Sequence, residues 1–338
     1  MAEIVLGLGS SHTPMLTLSP KEWLIRAKGD QENPKLNLSD GRMVSYHQLL
    51  AEVEPRSIEL EVLEVQAAAC QTALDRLADE LAAAKPDVVI IIGDDQQELF
   101  EVDNQPAIAI YRGDLVRTHS EYDDETLPDW LKRIGDGYMM DAVHDLPGAP
   151  ELGFELITAL IDRDVDVGSY ASVKDPAVAG FGHAFGFIAK RLMPASPIPV
   201  LPILLNTYYA PNVPSARRCH DIGKALADAI ASIESVSRVA IVASGGLSHF
   251  VVDEELDRRV LEGLKPGGAE LLRSIERGAL NAGSSEILNW IMLSAAVGDM
   301  PLSWAEYHPI YRTPAGTGVG VCFAAWTSTI DSPQEGQK

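Results

Sequence analysis

Five branched apolar residues in a row, Val88-Val89-Ile90-Ile91-Ile92, admit few folds. A strand with one face in water alternates apolar and polar side chains, whereas an unbroken run must be covered on both faces. The run is short and β-branched and begins just after Pro86, so it reads as a buried strand over Asp87–Ile92. Further strands are expected at Ile4–Leu8, Ala107–Tyr111, Val200–Leu205, Val239–Ala243 and Val319–Ala325. Pro202 weakens the third of these, because proline has no N–H to give a ladder. Helical periodicity covers Ser57–Ala84, Glu151–Arg163, Ala184–Leu192, Ala216–Ser232, Glu254–Leu264 and Ser285–Val297. Strands alternating with helices predict an α/β fold, a central mixed sheet flanked by helices on both faces.

The 338 residues suffice for one large domain, and 46% hydrophobic content supports a sizeable core. We expect a single catalytic domain over 1–330, with residues 20–56 as a polar, irregular insertion or possible lid, and a frayed tail over 331–338. The formal net charge is −22, from 49 acidic and 27 basic residues. Phosphate-rich partners require Lys/Arg clusters, which are absent, so the reading is no nucleic acid and no membrane. The three cysteines show no CxxC spacing, which argues against a disulfide framework or a cysteine zinc site. No apolar run reaches membrane-spanning length, and the first residues lack a signal-peptide pattern. A cytoplasmic location is expected.

Polar clusters sit where the predicted strands and helices end or begin, which is where α/β folds place ligands. They are Gly9-Ser10-Ser11-His12, Gly93-Asp94-Asp95-Gln96, Gly182-His183, Ser244-Gly245-Gly246-Leu247-Ser248-His249 and Gly283-Ser284-Ser285-Glu286. Singly, such a histidine is usually a satisfied hydrogen-bonding residue, and Glu286 a carboxylate favoured by a helix dipole. Together, three histidines and a carboxylate suit Fe(II), Mn(II) or Zn(II), in an arrangement that leaves positions open for substrate.

The segments SSHTP after the first strand, GGLSHF after a late strand and GSSEILNW at a helix start resemble the class III extradiol ring-cleaving dioxygenases. MAEIVLGLGSSHTPML, LLNTYYAPNVPSARRC, ASGGLSHFVVDEELDRRVL and YRTPAGTG resemble its 3-O-methylgallate dioxygenase branch, and the likeness runs over nearly the whole chain. The resemblance implies an Fe(II) cofactor and ring cleavage of a catecholic or methylgallate-like aromatic acid by O2. It implies His12 and Glu286 as metal ligands, His249 as general base and acid, and His183 as a further catalytic histidine near the substrate.

Two departures follow. The family's second histidine ligand closes an Asn-Asp-His sequence, and here Gln96 stands in that place. Gln96 is therefore the third metal-ligand candidate, with Asp95 or His47 as substitutes. A hydrolase or other non-oxidative metalloenzyme on the same fold stays open, as does a non-catalytic subunit. The small helical partner that caps the site in two-subunit relatives has no counterpart, and Pro20–Ser45 is the segment available to close the mouth. Asn206 and Tyr208 follow a strand and are expected to bind substrate, as is Arg312, whose fork suits a carboxylate. His119, His144, His220 and His308 read as structural. A homodimer is the expected assembly.

Overall fold

The computed structural model describes residues 1–195 and 198–327, so the expected tail over 331–338 lies outside the described residues. Its main sheet has eight strands: β1 (Glu3–Ser10), β2 (Val88–Gly93), β3 (Ile108–Tyr111), β4 (Gly168–Tyr170), β5 (Val200–Leu205), β6 (Arg238–Ser244), β7 (Leu302–Tyr311) and β8 (Gly318–Thr327). Their spatial order is β7-β8-β1-β6-β2-β5-β3-β4. The four central strands β1, β6, β2 and β5 are parallel, while β8 runs antiparallel to β1 and to β7. The sheet is therefore mixed, as expected.

The unbroken apolar run of β2 is explained by its two covered faces. Val88, Ile90 and Ile92 join one core with the helices Pro150–Ile161, Ala216–Ile230 and Ile287–Val297. Val89 and Ile91 join the opposite core with the helices Leu60–Ala84 and His183–Leu192. Pro202 is accommodated because the ladder of β5 with β3 begins at Ile203, one residue further on. All three cysteines are buried and free. Among the described residues no helix is long and apolar enough to cross a membrane.

The largest difference from expectation lies near the N-terminus. Residues 20–45 are not irregular: Pro20–Glu32 is a helix, followed by a small hairpin of Leu36–Asn37 and Met43–Val44. Ser19-Pro20-Lys21-Glu22 carries the start signal, since Glu22 accepts from the Ser19 backbone N–H and hydroxyl at 2.9 and 2.8 Å. The polar composition concealed a helix only two of whose side chains, Trp23 and Ala27, are buried. Strand β7 was also missed, because its partly exposed side chains at the sheet edge carry no long apolar run.

Gly9 and Gly29 separate packing from propensity. A Cβ on Gly9, in the middle of the sheet, would lie 2.1 Å from the Trp290 ring, while one on Gly29 meets open space. Gly9→Ala should destabilise by about 1–3 kcal/mol through overpacking. Gly29→Ala should stabilise by about 0.5–1 kcal/mol. Urea unfolding of both variants checks the pair.

Candidate active site and metal centre

Because the central strands are parallel and in register, their carboxyl ends open on one edge. Ser10 lies opposite Ser244, and Ala243 opposite Ile92. His12 leaves β1, Asp94 to Glu98 leave β2, Tyr208 follows β5, and Gly245 to His249 leave β6. The helix beginning at His183 and the 3-10 turn Ala282–Glu286 close on the same place. His12, Gln96, Glu98, Tyr138, His183, Tyr208, His249 and Glu286 line one cavity of about 300 Å³, within the range of small-molecule sites.

The hydrogen bonds fix the tautomer of His12. The Ser244 hydroxyl donates its one proton to the Ala184 carbonyl at 2.6 Å, so at 2.8 Å it accepts from His12 Nδ1–H. That leaves Nε2 as the free donor atom, 3.3 Å from Glu286 Oε2. Such anchoring of the non-ligating nitrogen is the usual support of a metal-bound histidine. His183 has the same arrangement: its Nδ1 is held by Glu98 in a very short contact, and its backbone N–H donates to the same oxygen at 3.1 Å. Burial opposes charge on His183, yet Glu98 outweighs it and raises the pKa to about 10. Burial pushes Glu98 up, but His183 and backbone N–H donors bring it down to about 2.

Glu286 is buried and accepts from Gly246 N–H at 2.7 Å and the Tyr208 hydroxyl at 3.2 Å. His249 Nε2 lies 3.2 Å from Glu286 Oε1, while its Nδ1 faces the Leu247 carbonyl at 2.9 Å. A ring whose two nitrogens both face oxygen acceptors is driven to carry two protons. Burial works against this, but Glu286 prevails and the His249 pKa is raised. The loop is held from behind. Ser284 exchanges hydrogen bonds with the His249 backbone, and a Cβ on Gly283 would stand 1.9 Å from the His249 ring. Ser248 donates from N–H and hydroxyl to buried Asp257 at 2.8 and 2.7 Å.

Asp94 belongs to the Gly93-Asp94-Asp95-Gln96 cluster, whose sequence assigns it no role. It is 1% exposed, and its Oδ1 has no hydrogen-bond partner. Burial, and then Glu286, raise its pKa. Donor atoms of His12, Asp94 and His183 all lie within 4.8 Å of one another. An orphaned buried carboxylate oxygen beside two imidazoles is what a divalent cation would satisfy, so this nitrogen and oxygen set fits the implied metal.

Several expected residues sit elsewhere. The Gln96 amide nitrogen is 3.3 Å from Asp94 Oδ2 and 3.4 Å from His183 Nε2, which puts Gln96 beside the donor group. Asp95 does not swing inward, since its carboxylate caps the backbone N–H groups of Leu99 and Phe100. His47 is exposed and does not line the cavity. Asn206 is spent on Tyr209, accepting from its N–H and donating to its carbonyl at 2.8 Å, and lies off the cavity wall. Arg312 lines the cavity, but its fork is bound to Asp30 at 2.9 and 3.1 Å. Besides Asp94, sequence reasoning missed Glu98 and Tyr138. Glu98 had a signal in its position just past a strand-end acidic pair, whereas Tyr138 had none.

Two measurements test this geometry. Ser244→Ala removes the acceptor that orients His12 and should weaken Co(II) or Fe(II) binding by about 10–100-fold in anaerobic titration. Burial raises the Asp257 pKa from 3.8 to about 6. A raised carboxyl pKa means that its stability contribution is whole below about pH 4 and is lost as pH rises through 6. Asp257→Asn should therefore gain about 3 kcal/mol on the parent protein between pH 4 and 7 in urea unfolding.

Residues 61–322 match the family described as the catalytic LigB subunit of aromatic ring-opening dioxygenase. The chain is also 29% identical over 150 residues to a gallate dioxygenase of Pseudomonas putida, a stretch covering 40% of this chain and 43% of that enzyme. The match thus spans less than half of that relative. With the family model matched over residues 61–322, the chain belongs to the catalytic LigB family of aromatic ring-opening dioxygenases.

Proposed function

We propose that the protein is an Fe(II)-dependent extradiol dioxygenase that opens the ring of a catecholic or methylgallate-like aromatic acid with O2. The observation that carries this reading is the convergence of His12, Asp94, His183 and Glu286 beside a cavity that His12, His183, His249 and Glu286 line. In it, His12 and His183 supply the nitrogen donors, Asp94 takes the place that Gln96 leaves unfilled, and Glu286 is a further oxygen donor. A ferrous ion held by these residues would supply Lewis-acid and one-electron chemistry for substrate and O2.

The side chains do the rest. Ser244 and Glu98 hold the two imidazoles by their Nδ1–H groups, so each presents Nε2. A cation at Nε2 of His183 would displace the proton there and require the Gln96 amide nitrogen, 3.4 Å away, to turn aside. His249 is the acid and base: its Nδ1 is tied to the Leu247 carbonyl, and once a cation claimed the Glu286 carboxylate that holds the Nε2 proton, Nε2 would be free to lose that proton, take a phenolic one and return it later. Tyr208 donates to Glu286, fixing the carboxylate orientation. The apolar faces of Leu131, Ile134, Met140 and Val319 receive the ring and exclude water.

Oxygen electrode traces with gallate, protocatechuate and 3-O-methylgallate should show about one O2 consumed per ring lost. Glu286→Ala and Asp94→Ala should bind less iron by emission spectroscopy, whereas Gln96→Ala should keep it. His249→Ala should keep iron and lose turnover by about 100-fold or more. Stoichiometric zinc without oxygen uptake would instead indicate a non-oxidative enzyme.

A further inference from the structure

The cavity holds two permanent cations, and they differ. Arg312 is already neutralised: Nε and Nη2 bind Asp30, and Nη1 lies 3.3 Å from Met15 Sδ. Asp30 is in turn fully used, since its Oδ2 also accepts from Thr317 at 2.8 Å. Arg26, on the Pro20–Glu32 helix, lines the same cavity and forms no ion pair among the described residues. Its Nε is buried without a hydrogen-bond partner. Guanidinium does not lose its proton in proteins, so the charge persists, and a part-buried unpaired cation beside a second arginine calls for an anion. Burial, and then Arg312, depress its pKa, as expected where an anion is missing.

The surroundings say which anion. Tyr138 neighbours both Arg26 and the donor group: its hydroxyl donates to the His12 carbonyl at 2.7 Å, its ring centroid is 5.4 Å from that of His183, and it is among the groups acting electrostatically on Arg26. Leu131, Ile134 and Met140 line the same cavity and offer apolar surface to a flat ring. A molecule filling this space has oxygens at the histidine end, an aromatic ring in the middle and a negative group at Arg26. The planar fork matches a carboxylate in two parallel hydrogen bonds.

We propose that Arg26, and not Arg312, binds the carboxylate of the aromatic acid and so decides that this enzyme takes acids in preference to uncharged catechols. The proposal rests on the ring-cleavage reading for its kinetics, but the binding it describes can be measured apart from it. Arg26 is a specificity residue contributed by the segment that precedes the family-matched region 61–322.

The test compares full-length Fe(II)-loaded wild type, Arg26→Met and Arg26→Lys on two substrate pairs, gallate against pyrogallol and protocatechuate against catechol. Arg26→Met should raise KM for the acids by about 100-fold, while kcat/KM for pyrogallol and catechol stays within about threefold. Arg26→Lys should recover part of the loss for the acids. Calorimetric titration of the same proteins with 4-hydroxybenzoate, without oxygen, should show binding to wild type and about 100-fold weaker binding to Arg26→Met. Equal losses on acids and uncharged rings, or unchanged affinity for 4-hydroxybenzoate, would overturn the assignment. Should wild type consume no oxygen with any ring, the dioxygenase reading fails, and the 4-hydroxybenzoate titration still decides the role of Arg26.

Discussion

The register between β1 and β6 is the constraint on which the rest of the molecule depends. Parallel pairing sets Ser10 opposite Ser244, so the chain leaving β1 at His12 and the chain leaving β6 at Gly245 emerge side by side. A slip of one residue would turn every side chain of either strand to the other face. It would also separate His12 from the Ser244 hydroxyl, which joins β1 and β6 to the helix at His183 through the Ala184 carbonyl. Trp290 reinforces the register from the opposite core. Its ring fills the space left by the missing side chain of Gly9, and its indole N–H donates to the Gly245 carbonyl. Core packing and site geometry are therefore one arrangement, which accounts for buried serines beside a catalytic cavity.

Electrostatics shape the site as much as packing does. Asp94, Glu98 and Glu286 are all nearly inaccessible to water. Buried carboxylates are costly unless matched by hydrogen bonds or positive charge. Glu98 is matched by His183, and Glu286 by a backbone N–H, Tyr208 and two histidines. Asp94 is the least compensated of the three, and of the two arginines that line the cavity Arg26 is the less compensated. The proposed cation and substrate carboxylate would each meet one of these two deficits.

The loss of the expected histidine at Gln96 need not disable the centre. The β2 loop still delivers a carboxylate at Asp94, and the helix start delivers His183, with Glu98 from that same loop orienting the imidazole. Donor groups in such centres are interchangeable provided the nitrogen and oxygen count and the hydrogen-bonded support behind them are retained.

Much of this was legible in the order of residues. Uninterrupted apolar strands, helical periods and polar clusters at their junctions were enough for an α/β fold with helices on both faces, because covering a sheet on both sides demands that pattern. The motifs around His12, His249 and Glu286 were enough for the family. The helix at Pro20–Glu32 was also written there, in Ser19 and Glu22, but its polarity hid it. What only the tertiary structure decided was pairing across distance. Arg312 and Arg26 are both arginines with equal title to a carboxylate, and nothing local tells which one Asp30, 282 residues from Arg312, has already taken. Asp94 likewise differs from Asp95 only in direction, since alternate residues leaving a strand point to opposite sides, one into the cavity group and the other onto its own loop. Composition and periodicity fix which groups a chain owns; the fold fixes which of them remain unsatisfied, and those are the ones left to meet a ligand.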